Sequence, residues 1–500
     1  MPLASLLEQS ALRTPEQTAL SCGDVHATYA ELDARANRFA HALLERGLGA
    51  GERVALCLEN TPEAVVSLFG AWKAGSAVVL LNPGTKPEKL GFLLEDSGAR
   101  ALVAAQRKLE QSEAVLQRAA SLRERFAAEA LPQGGSSAAP GRAIAEDELA
   151  CLLYTSGSTG TPKGVMHSHR SLGSVTRSIA QYLGASSSDV VLSVLPLSFG
   201  YGLSQLLPTF LAGGRLVLER SFAFPQLTLQ RLASERATGF AMVPTIASLL
   251  LQNDLSRFDL SALRYLTNAG AGIAPALLAR LRTQFPAVSI FPMYGQTECI
   301  RASYLPPEEV ERRPDSVGKG IPGQETWIVD ERGERLGPGH TGELVVCGEH
   351  VMLGYWKQPE ESARKLRPGQ RPGQRALLTG DLFRVDEEGW YHFVARKDDI
   401  IKTRGEKVSP REVENVLLAL EGVLGAAVVG VPDELLGQVV RAFVVKRADS
   451  GLDEKSVLRH CSRALEDFAV PKRVEFLDEL PKTPNSKIDK QALLERIEAK

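Results

Sequence analysis

Apolar positions in the first hundred residues alternate between helical spacing and short continuous runs. Helical spacing runs through residues 29–40 and 62–74, and apolar runs typical of buried strands occupy 54–58 and 77–81. Alternation of strands with helices is typical of α/β architecture with substantial parallel sheet. The pattern therefore predicts an α/β fold for the first part of the chain.

Three segments depart from this alternation. Residues 106–130 are charged and rich in alanine, and predict an exposed helix. Residues 131–141 are rich in Gly, Pro, Ser and Ala, and predict a flexible loop just before an apolar strand at 152–154. Residues 367–374 repeat Pro and Gly, and predict a second loop-rich break.

The pattern of apolar and polar residues changes again after Asp398. Apolar periodicity there predicts two helices and two strands, at 411–420, 458–465, 426–429 and 441–445. About 100 residues of mixed α+β structure form a typical small domain. We therefore predict a large N-terminal α/β domain over residues 1–397 and a small α+β domain over 398–500.

Composition excludes several classes of protein. The chain has 500 residues, too many for one compact core, and its 44% hydrophobic and 24% charged residues are ordinary for a globular protein. A net charge of -2 provides no basic field for nucleic acid. No apolar run approaches the ~20 residues needed to span a bilayer, and the start lacks the pattern of a secretory signal. Six scattered cysteines without a CxxC pair favour reduced thiols, so we expect a cytoplasmic protein.

The loop at residues 155–164 carries the clearest chemical signal. It combines hydroxyl side chains, three glycines and Lys163 directly after a predicted strand. Glycine lets backbone N–H groups approach phosphate oxygens, hydroxyls donate further hydrogen bonds, and the lysine supplies charge. It is not a Walker loop, because Pro162 precedes the lysine and Gly164 follows it. Residues 270–275 also fail the dinucleotide fingerprint, since the third glycine is missing. The alternative is a solvated Ser/Gly turn.

This loop resembles the phosphate-binding signature of the adenylate-forming ligases, a superfamily of acyl- and aryl-CoA synthetases, peptide-synthetase adenylation domains and firefly luciferase. Further motifs in the family's order extend the resemblance over nearly the whole chain. It implies a large multi-sheet N-terminal domain and a small mobile C-terminal domain. It also implies ATP, Mg²⁺ and coenzyme A, or a carrier-protein phosphopantetheine, as cofactors. The implied phosphate-binding residues are Thr155, Ser156, Gly157, Ser158, Thr159, Gly160 and Lys163.

Residues 293–298 read Met-Tyr-Gly-Gln-Thr-Glu and resemble the family's Y-G-x-T-E segment. The resemblance implies that Tyr294 lies against adenine, Thr297 contacts the α-phosphate and Glu298 holds Mg²⁺. An aromatic face suits a base, and a hard carboxylate suits Mg²⁺. Residues 268–272 resemble the family stretch whose backbone lies along the adenine, which implies Gly270, Ala271 and Gly272 as nucleotide-binding positions; Met293 and Gly295 are the others implied here.

Residues 379–381 match the family's T-G-D, whose aspartate binds the ribose hydroxyls, here Asp381. Residues 396–399 match its G-R-x-D segment, with Ala395 in place of the usual glycine. The match implies that Arg396 also binds ribose and that Asp398 is the hinge of the C-terminal domain. Without the resemblance, such a charge cluster is typical of a solvated turn.

Residues 481–490 resemble the segment that carries the family's adenylation lysine, which corresponds to Lys487, with Ser486 in place of the usual glycine. The resemblance implies that Lys487, Thr297 and Glu298 are catalytic. A lysine charge stabilises the α-phosphate and orients the carboxylate without acid–base chemistry. The alternative is a surface lysine in a basic tail. Rotation about the hinge would bring residues 401–408 to the site, with Gly405 near the thiol tunnel.

The implied reaction forms an acyl-adenylate and pyrophosphate, and a thiol then displaces AMP. No carrier domain or phosphopantetheine serine motif is apparent after Lys490, so we expect free coenzyme A as the acceptor. The alternative is a stand-alone enzyme that loads an acid or amino acid onto a separate acyl or peptidyl carrier protein. A non-catalytic relative would lose Lys487 or Glu298, and nothing in the sequence specifies the oxygen chemistry of luciferase.

Residues 199–202 read Phe-Gly-Tyr-Gly and resemble the acyl-pocket run of benzoate and anthranilate CoA ligases. The resemblance implies a pocket lined by Phe199, Gly200 and Tyr201. No aspartate follows in this run, which disfavours an amino acid. Arg301 either faces the substrate and favours a polar substituent, or caps the surface, and we expect the second. An aryl acid and a medium or longer fatty acid both fit, with a slight preference for the aryl acid.

His167 and His169 form a separate histidine pair next to the loop. On a helix, residues two apart diverge, and no third metal ligand is evident. We therefore predict that both histidines are structural.

Overall fold

The computed structural model describes residues 1–156, 162–371, 373–404, 406–433, 435–483 and 487–498. Its α-helices within these ranges are α1 (Ala4–Arg13), α2 (Tyr29–Glu45), α3 (Pro62–Ala74), α4 (Pro87–Ser97), α5 (Gln106–Gln111), α6 (Glu113–Arg118), α7 (His169–Leu183), α8 (Gly200–Ala212), α9 (Pro225–Ser234), α10 (Pro244–Leu250), α11 (Pro275–Gln284), α12 (Pro359–Lys365), α13 (Pro410–Ala419), α14 (Glu454–Ala464) and α15 (Lys490–Glu498).

The strands of the first half of the chain are β1 (Thr18–Cys22), β2 (Val25–Thr28), β3 (Arg53–Cys57), β4 (Ala77–Leu80), β5 (Ala101–Ala104), β6 (Glu124–Ala127), β7 (Leu149–Ser156), β8 (Pro162–Ser168), β9 (Val190–Ser193), β10 (Arg215–Leu218) and β11 (Gly239–Met242). Those of the second half are β12 (Tyr265–Asn268), β13 (Ser289–Tyr294), β14 (Ser303–Tyr304), β15 (Lys319–Gly320), β16 (Glu325–Val329), β17 (Arg335–Leu336), β18 (Thr341–Gly348), β19 (Gly354–Tyr355), β20 (Leu366–Pro368), β21 (Arg375–Val385), β22 (Tyr391–Arg396), β23 (Ile401–Thr403), β24 (Glu406–Val408), β25 (Val423–Asp433), β26 (Gly437–Lys446) and β27 (Arg473–Phe476).

Two largely parallel sheets form the centre of the N-terminal part. One has the strand order β15-β14-β13-β12-β11-β9-β10-β1-β2, and the other has the order β19-β8-β7-β4-β3-β5-β6. Helix α3 contacts strands of both sheets and is buried on nearly every face. Thr61 caps its first turn, Pro62 begins it, and Gly75 ends it in the left-handed region at φ 81°. The predicted α/β architecture with substantial parallel sheet is confirmed.

The remaining described strands form two smaller sheets. The third has the order β17-β16-β18-β21-β20, with β22 paired to β21. The fourth has the order β24-β23-β26-β25, with β27 paired to β26, and all its strands begin at or after Ile401. Helices α13 and α14 pack on the fourth sheet around a separate apolar cluster that includes Val413, Val428 and Val457. A large multi-sheet N-terminal part with a smaller α+β C-terminal part is the predicted fold class.

The predicted exposed helix over residues 106–130 is wrong. The segment contains two short helices, α5 and α6, and then the strand β6, which extends the second sheet by pairing in parallel with β5. Phe126 anchors that strand, since it is 8% exposed and packs edge-on against Phe39 with ring centres 5.4 Å apart. Burial of this aromatic ring outweighs the helix propensity of the surrounding alanines and charged residues.

The two predicted loops have different outcomes. Residues 131–141 form no helix or strand, as predicted. Of residues 367–374, the first two belong to the edge strand β20, which pairs with β21, so the loop begins later than predicted. In the part of the chain that the structure describes, no helix is long and apolar enough to cross a membrane.

Candidate active site

Neighbouring parallel strands of the first sheet end on the same side, and the region beyond their carboxyl ends is called the cleft below. Strands β13, β12, β11 and β9 lie side by side, and their last residues are Tyr294, Asn268, Met242 and Ser193. The chain after these strands carries the predicted adenine, phosphate and acyl-pocket segments. Ligands of open α/β sheets bind beyond the carboxyl ends of the strands. The strand order therefore brings together segments that are up to 100 residues apart in sequence.

Asp381, Tyr294 and Arg396 form one polar cluster in this cleft. The Tyr294 hydroxyl donates a hydrogen bond to Asp381 Oδ2 over 2.6 Å, and Arg396 Nε lies 3.5 Å from Asp381 Oδ1. Asp381 and Arg396 are paired across strands β21 and β22. Burial raises the pKa of Asp381, whereas the Arg396 charge and the Tyr294 hydrogen bond act to lower it. Each carboxylate oxygen keeps a further acceptor position, which suits a pair of ribose hydroxyls.

Sterics explain the glycine in the Tyr-Gly-Gln-Thr-Glu segment. A Cβ on Gly295 would lie 2.4 Å from the carbonyl oxygen of Ile300. Ile300 itself has a φ of 60°, which is rare for a β-branched residue, and its N–H donates to the Gln296 carbonyl over 2.7 Å. This tight turn needs a glycine whether or not a nucleotide is bound.

Ala395 replaces a glycine in the G-R-x-D segment without steric conflict. It lies on strand β22, is 2% exposed, and does not have a positive φ. An alanine is therefore tolerated at this position, and Arg396 still reaches Asp381.

Tyr355 connects the metal-binding and phosphate-binding candidates. Its hydroxyl donates to Glu298 Oε1 over 2.8 Å. Lys163 Nζ lies 5.5 Å from the centre of the Tyr355 ring and 2.9 Å from Glu361 Oε1. Strand β19 carries Tyr355 and pairs with β8, the strand of Lys163. The sequence offered no sign of this residue, because only the sheet topology joins positions 163, 298 and 355.

We expect the Tyr355→Phe variant to need more Mg²⁺ for adenylation, with kcat/KM about tenfold lower at limiting Mg²⁺, because Glu298 loses a charged hydrogen bond that fixes its position. Acid-dependent pyrophosphate exchange, measured over a series of Mg²⁺ concentrations, tests this. Tyr29→Phe is the matched control, because it removes a hydroxyl that donates to the Gly214 carbonyl over 2.6 Å, away from the cleft. Equal Mg²⁺ dependence in both variants would contradict the positioning role.

His167 fixes the backbone of the catalytic candidate Thr297. It is buried on strand β8, and its Nε2 donates to the Thr297 carbonyl over 2.8 Å. His169 is the first residue of α7, and its Nδ1 accepts a hydrogen bond from the Leu3 N–H over 3.2 Å. No cluster of three potential metal ligands occurs among the described residues. Their contacts are structural, as predicted, although His167 lies on a strand and not on a helix.

We expect the fold to lose stability as the pH falls from about 6.5 towards about 4. Burial lowers the pKa of His167 and His169 to about 4 and that of His350 to about 3, from 6.5. In this range the unfolded chain binds protons that the folded chain does not, so each histidine removes about 1.4 kcal/mol per pH unit. Thermal unfolding measured against pH checks the slope. His350→Gln should make it shallower, and an unchanged slope would contradict the assignment.

Lys487 lies within electrostatic range of this polar cluster. Desolvation and the charge of Arg396 lower its pKa, while Glu298 and Asp381 act in the opposite direction. Lys487 is exposed to solvent. The Thr483 N–H donates to the Lys487 carbonyl over 2.7 Å, and Lys482 pairs antiparallel with Ile488. The residue before the lysine, Ser486, lies outside the described residues.

The two ends of the phosphate loop are adjacent. Thr155 on β7 pairs with Lys163 on β8, and Ser156 pairs with Pro162. Both strands belong to the second sheet, and Lys163 faces the Tyr355 ring. The predicted phosphate-binding residues between these ends lie outside the described residues, namely Gly157, Ser158, Thr159 and Gly160.

The predicted adenine segment contacts the C-terminal part of the chain. Gly270, with a φ of 83°, begins an exposed turn, and Asn268 Nδ2 donates to the Ala271 carbonyl over 3.1 Å. The Arg411 guanidinium packs on Gly272, where an added Cβ would lie 2.0 Å from Nη1. Arg411 is on α13, and sequence analysis did not select it. A side chain at position 272 would displace the end of the Arg411 side chain from this segment.

The hinge and tunnel candidates flank the start of the C-terminal part. Asp398 lies in an exposed turn between β22 and β23. Gly405, the candidate for the thiol tunnel, lies outside the described residues. Its neighbour Arg404 has a positive φ of 53°.

The predicted acyl-pocket run begins helix α8. The Tyr201 hydroxyl and Thr267 Oγ1 are 2.8 Å apart, so the tyrosine is held against the end of β12. A Cβ on Gly200 would lie 2.8 Å from Ile300 Cδ1. Phe199, directly before the helix, is partly buried. The run therefore faces the turn that follows Glu298.

The expectation that Arg301 caps the surface is wrong. Its side chain is 2% exposed, and its Cζ lies 5.1 Å from the centre of the Tyr201 ring. The Ala302 N–H donates to the Tyr294 carbonyl over 2.9 Å, which turns the chain back into the sheet and carries Arg301 inwards. The apolar neighbours Cys299 and Ile300 are the signal that could have indicated burial.

Comparisons with known proteins agree with this arrangement. The family model of the AMP-binding enzymes matches residues 7–356, and that of the AMP-binding enzyme C-terminal domain matches 412–487. A feruloyl-CoA synthase from Amycolatopsis is 34% identical over 99% of both chains. A long-chain-fatty-acid–CoA ligase from Escherichia coli is 32% identical over 100% of this chain and 95% of that protein.

Two further matches are a peptide synthetase and a solved structure. A linear gramicidin synthase from Brevibacillus parabrevis is 32% identical over 97% of this chain, which spans only 6% of that protein's length. Among solved structures, ATP-bound MatB from Rhodopseudomonas palustris superimposes with a TM-score of 0.90 at 30% identity, over 99% of this chain and 98% of that one.

Proposed function

This chain belongs to the AMP-binding enzyme family and is an AMP-forming acid–CoA ligase, and we propose how its residues divide the reaction and which acids it takes. One observation carries the proposal. The charges that interact in a single cleft belong to four residues selected from the sequence, Glu298, Asp381, Arg396 and Lys487. Asp381 and Arg396 in this set suit the ribose of a nucleoside, whereas Lys487 and Glu298 suit a reacting phosphate and its metal ion.

In the first step, a carboxylate oxygen of the acid forms a bond to the α-phosphorus of ATP. The bond from this phosphorus to the bridging oxygen breaks, and pyrophosphate leaves with the bonding electrons. Lys487 places its positive charge beside the α-phosphate oxygens, where negative charge develops. Thr297 donates a hydrogen bond to the same phosphate, while Asp381 and Arg396 hold the ribose. Positioning and electrostatics suffice, so no covalent enzyme intermediate is needed.

Glu298 fits a Mg²⁺ ion that is bound together with ATP. Mg²⁺ is usually held by one or two carboxylates and the substrate phosphates, and not by a complete protein cage. Tyr355 occupies one oxygen of Glu298 through its hydroxyl and leaves the other available. When bound, the ion neutralises part of the phosphate charge.

In the second step, the sulfur of a thiol attacks the carbonyl carbon of the acyl-adenylate. The carbon–oxygen bond to the phosphate breaks, AMP leaves, and the thiol proton passes to solvent. We assign the hinge for the change between steps to Asp398, so that residues 398–500 rotate as a mobile domain on 1–397. A few residues at the end of an element commonly absorb such rotations. Gly405 then borders the path of the pantetheine arm.

The acid is an aryl or a fatty acid. The names of two relatives point to these classes, a feruloyl-CoA synthase and a long-chain-fatty-acid–CoA ligase. The aromatic ring of Tyr201 in the pocket run suits contact with an aromatic acid. This supports the aryl class first, as the Phe-Gly-Tyr-Gly run also suggests.

Free coenzyme A is the proposed thiol, and a carrier protein is the second candidate. The match to a linear gramicidin synthase supports the second candidate. Both acceptors present the same pantetheine arm, so the same cleft serves either. The six cysteines are free thiols, which supports a reducing compartment such as the cytoplasm.

Pyrophosphate release across a panel of benzoates, cinnamates, fatty acids and amino acids tests the proposal. ATP-dependent release with at least one aryl or fatty acid is expected, and release with amino acids alone would overturn the proposed acid class. Absence of release with every acid would overturn the ligase function. AMP formation with coenzyme A in the absence of any carrier protein then identifies the acceptor.

A further inference from the structure

Arg301 is a fully buried cation at the acyl pocket. It is among the largest fully buried side chains of the described chain, with 2% of its surface exposed. Its guanidinium lies over the Tyr201 ring, 5.1 Å from Cζ to the ring centre. The turn through Ile300 delivers it there, and that turn also closes on Gly200 of the pocket run.

No counter-charge accompanies this cation. None of the carboxylates in the described ranges lies within 4.0 Å of the guanidinium, whereas most buried or half-buried arginines in this chain have such a partner. Its Nε is buried and has no hydrogen-bond partner. Burial of an unpaired charge is strongly unfavourable, because the solvation lost on burial is not replaced.

Two tyrosines are the polar neighbours of Arg301: the Tyr182 hydroxyl interacts with the guanidinium as a hydrogen-bond acceptor, and the Tyr201 ring lies beneath it. The Tyr201 hydroxyl is 2.8 Å from Thr267 Oγ1, and the Tyr182 hydroxyl donates to Met293 Sδ over 3.0 Å. Burial raises the pKa of Tyr182 to about 12, although the Arg301 charge acts to lower it, so this hydroxyl stays neutral. Neither tyrosine supplies the negative charge that the guanidinium lacks.

Positive charge lies at two centres: the first is Lys487 with Arg396, and the second is Arg301. Lys487 and Arg396 act on each other, on Glu298 and on Asp381, beside the nucleotide-binding cluster. Arg301 instead acts on Tyr182 and Tyr201, within the acyl pocket. The reacting carboxylate of the acid belongs to the first centre. The second centre is therefore free for another anionic group on the same substrate.

We propose that the acid carries a second carboxylate at its far end, which Arg301 binds inside the acyl pocket. A planar guanidinium matches a carboxylate in two parallel hydrogen bonds, and the free Nε is one of the donors in that fork. The substrate class is thus a dicarboxylic acid, activated at one end and recognised at the other. This inference rests on the proposed function and narrows its acid.

Matched pairs of acids test the proposal. The pairs are benzoate with benzene-1,4-dicarboxylate and hexanoate with hexanedioate, which differ only in the distal carboxylate. In at least one pair, the wild-type enzyme is expected to have a kcat/KM for pyrophosphate exchange about 100-fold higher with the dicarboxylate, because a site built for a polar group rejects an analogue that lacks it. Equal or better exchange with the monocarboxylate in both pairs would overturn the proposal.

Two variants assign the preference to Arg301. Arg301→Gln is expected to reduce the ratio of the two kcat/KM values to about one or below, and Arg301→Lys to keep part of it, since the charge remains but the fork is lost. Arg264→Gln is the matched control: Arg264 also lies over a tyrosine, Tyr265, at 5.4 Å, but it has its own carboxylate partner, Asp189, at 2.6 Å. A ratio unchanged in Arg301→Gln would overturn the role of Arg301.

Failure of this inference and failure of the proposed function give different results. If no acid of either kind supports exchange, the ligase function itself is wrong. If monocarboxylates support exchange better, the ligase stands and Arg301 serves only to pack against Tyr201. Should Arg301→Gln unfold, as seen by thermal melting, the wild-type ratio and the Arg301→Lys variant decide the matter.

Discussion

Replacement of Lys487 by alanine is expected to reduce acyl-adenylate formation by about 10²- to 10³-fold and to leave the transfer of a supplied acyl-adenylate to the thiol largely intact. The loss is the size typical when one electrostatic contact to a transition state is removed. In the first step the attacking carboxylate adds negative charge to the α-phosphate oxygens, and Lys487 is proposed to lie beside them. In the second step negative charge passes to the departing AMP, but the proposed rotation has by then turned Lys487 away, so we expect this step not to need the side chain.

The two half-reactions are measured separately. Acid-dependent pyrophosphate exchange reports the first, and AMP release from synthetic acyl-adenylate with coenzyme A reports the second. Lys482→Ala is the control near Lys487, since Lys482 is exposed and pairs with Glu479 at 2.7 Å. Desolvation and the charge of Arg396 lower the pKa of Lys487 in the folded chain, so its removal is not expected to lower the melting temperature. Equal loss of both half-reactions would falsify the assignment.

The Asp381→Asn variant is expected to raise the KM for ATP and to lower kcat/KM by about 10²-fold. Asparagine keeps the shape of the side chain but exchanges one acceptor oxygen for a donor, and it removes the charge that strengthens hydrogen bonds from two ribose hydroxyls. The same change leaves the phosphate-binding side of the cleft intact. We therefore expect the loss to appear in ATP affinity more than in turnover at saturating ATP.

Stability provides an internal check on this variant. Because burial raises the pKa of Asp381, its charged form is disfavoured in the folded chain, and asparagine should not lower the melting temperature. Asp330→Asn is the control: Asp330 Oδ1 accepts two backbone N–H groups in the turn after β16, and an amide oxygen can do the same. Titration of ATP against both variants provides the measurement. Unchanged ATP affinity in Asp381→Asn would remove Asp381 from the nucleotide site.

Local patterns in the sequence predicted much of the fold. Helix α3 has the predicted bounds, and β3, β4 and α2 begin within a residue of them or extend them, because apolar periodicity and caps are local signals. Strand β6 escaped prediction, since its stability comes from Phe126 packing on a distant helix and from pairing with β5. Such tertiary contacts produce no hydrophobic periodicity that can be recognised in a segment of four residues.

The candidate site likewise contains residues that local motifs selected and residues that only the tertiary structure brings there. Asp381, Glu298 and Lys487 were selected by family motifs, each of which is a short continuous segment. Tyr355 lies 57 residues from Glu298 and meets it only because β19 pairs with β8. Arg301 was selected, but its position was predicted wrongly. A charged side chain is ordinarily placed at the surface, and the inward turn after Ile300 depends on an uncommon backbone conformation that residue preferences do not indicate.

The contact between Arg411 and Gly272 bears on the order in which products depart. Arg411 belongs to the part of the chain that follows the hinge, yet it covers the segment on which adenine is proposed to lie. In the rotation proposed for the second step, this side chain withdraws and uncovers the purine. We therefore expect Arg411 to limit escape of the acyl-adenylate into water until the rotation, after which the thioester forms and AMP can depart.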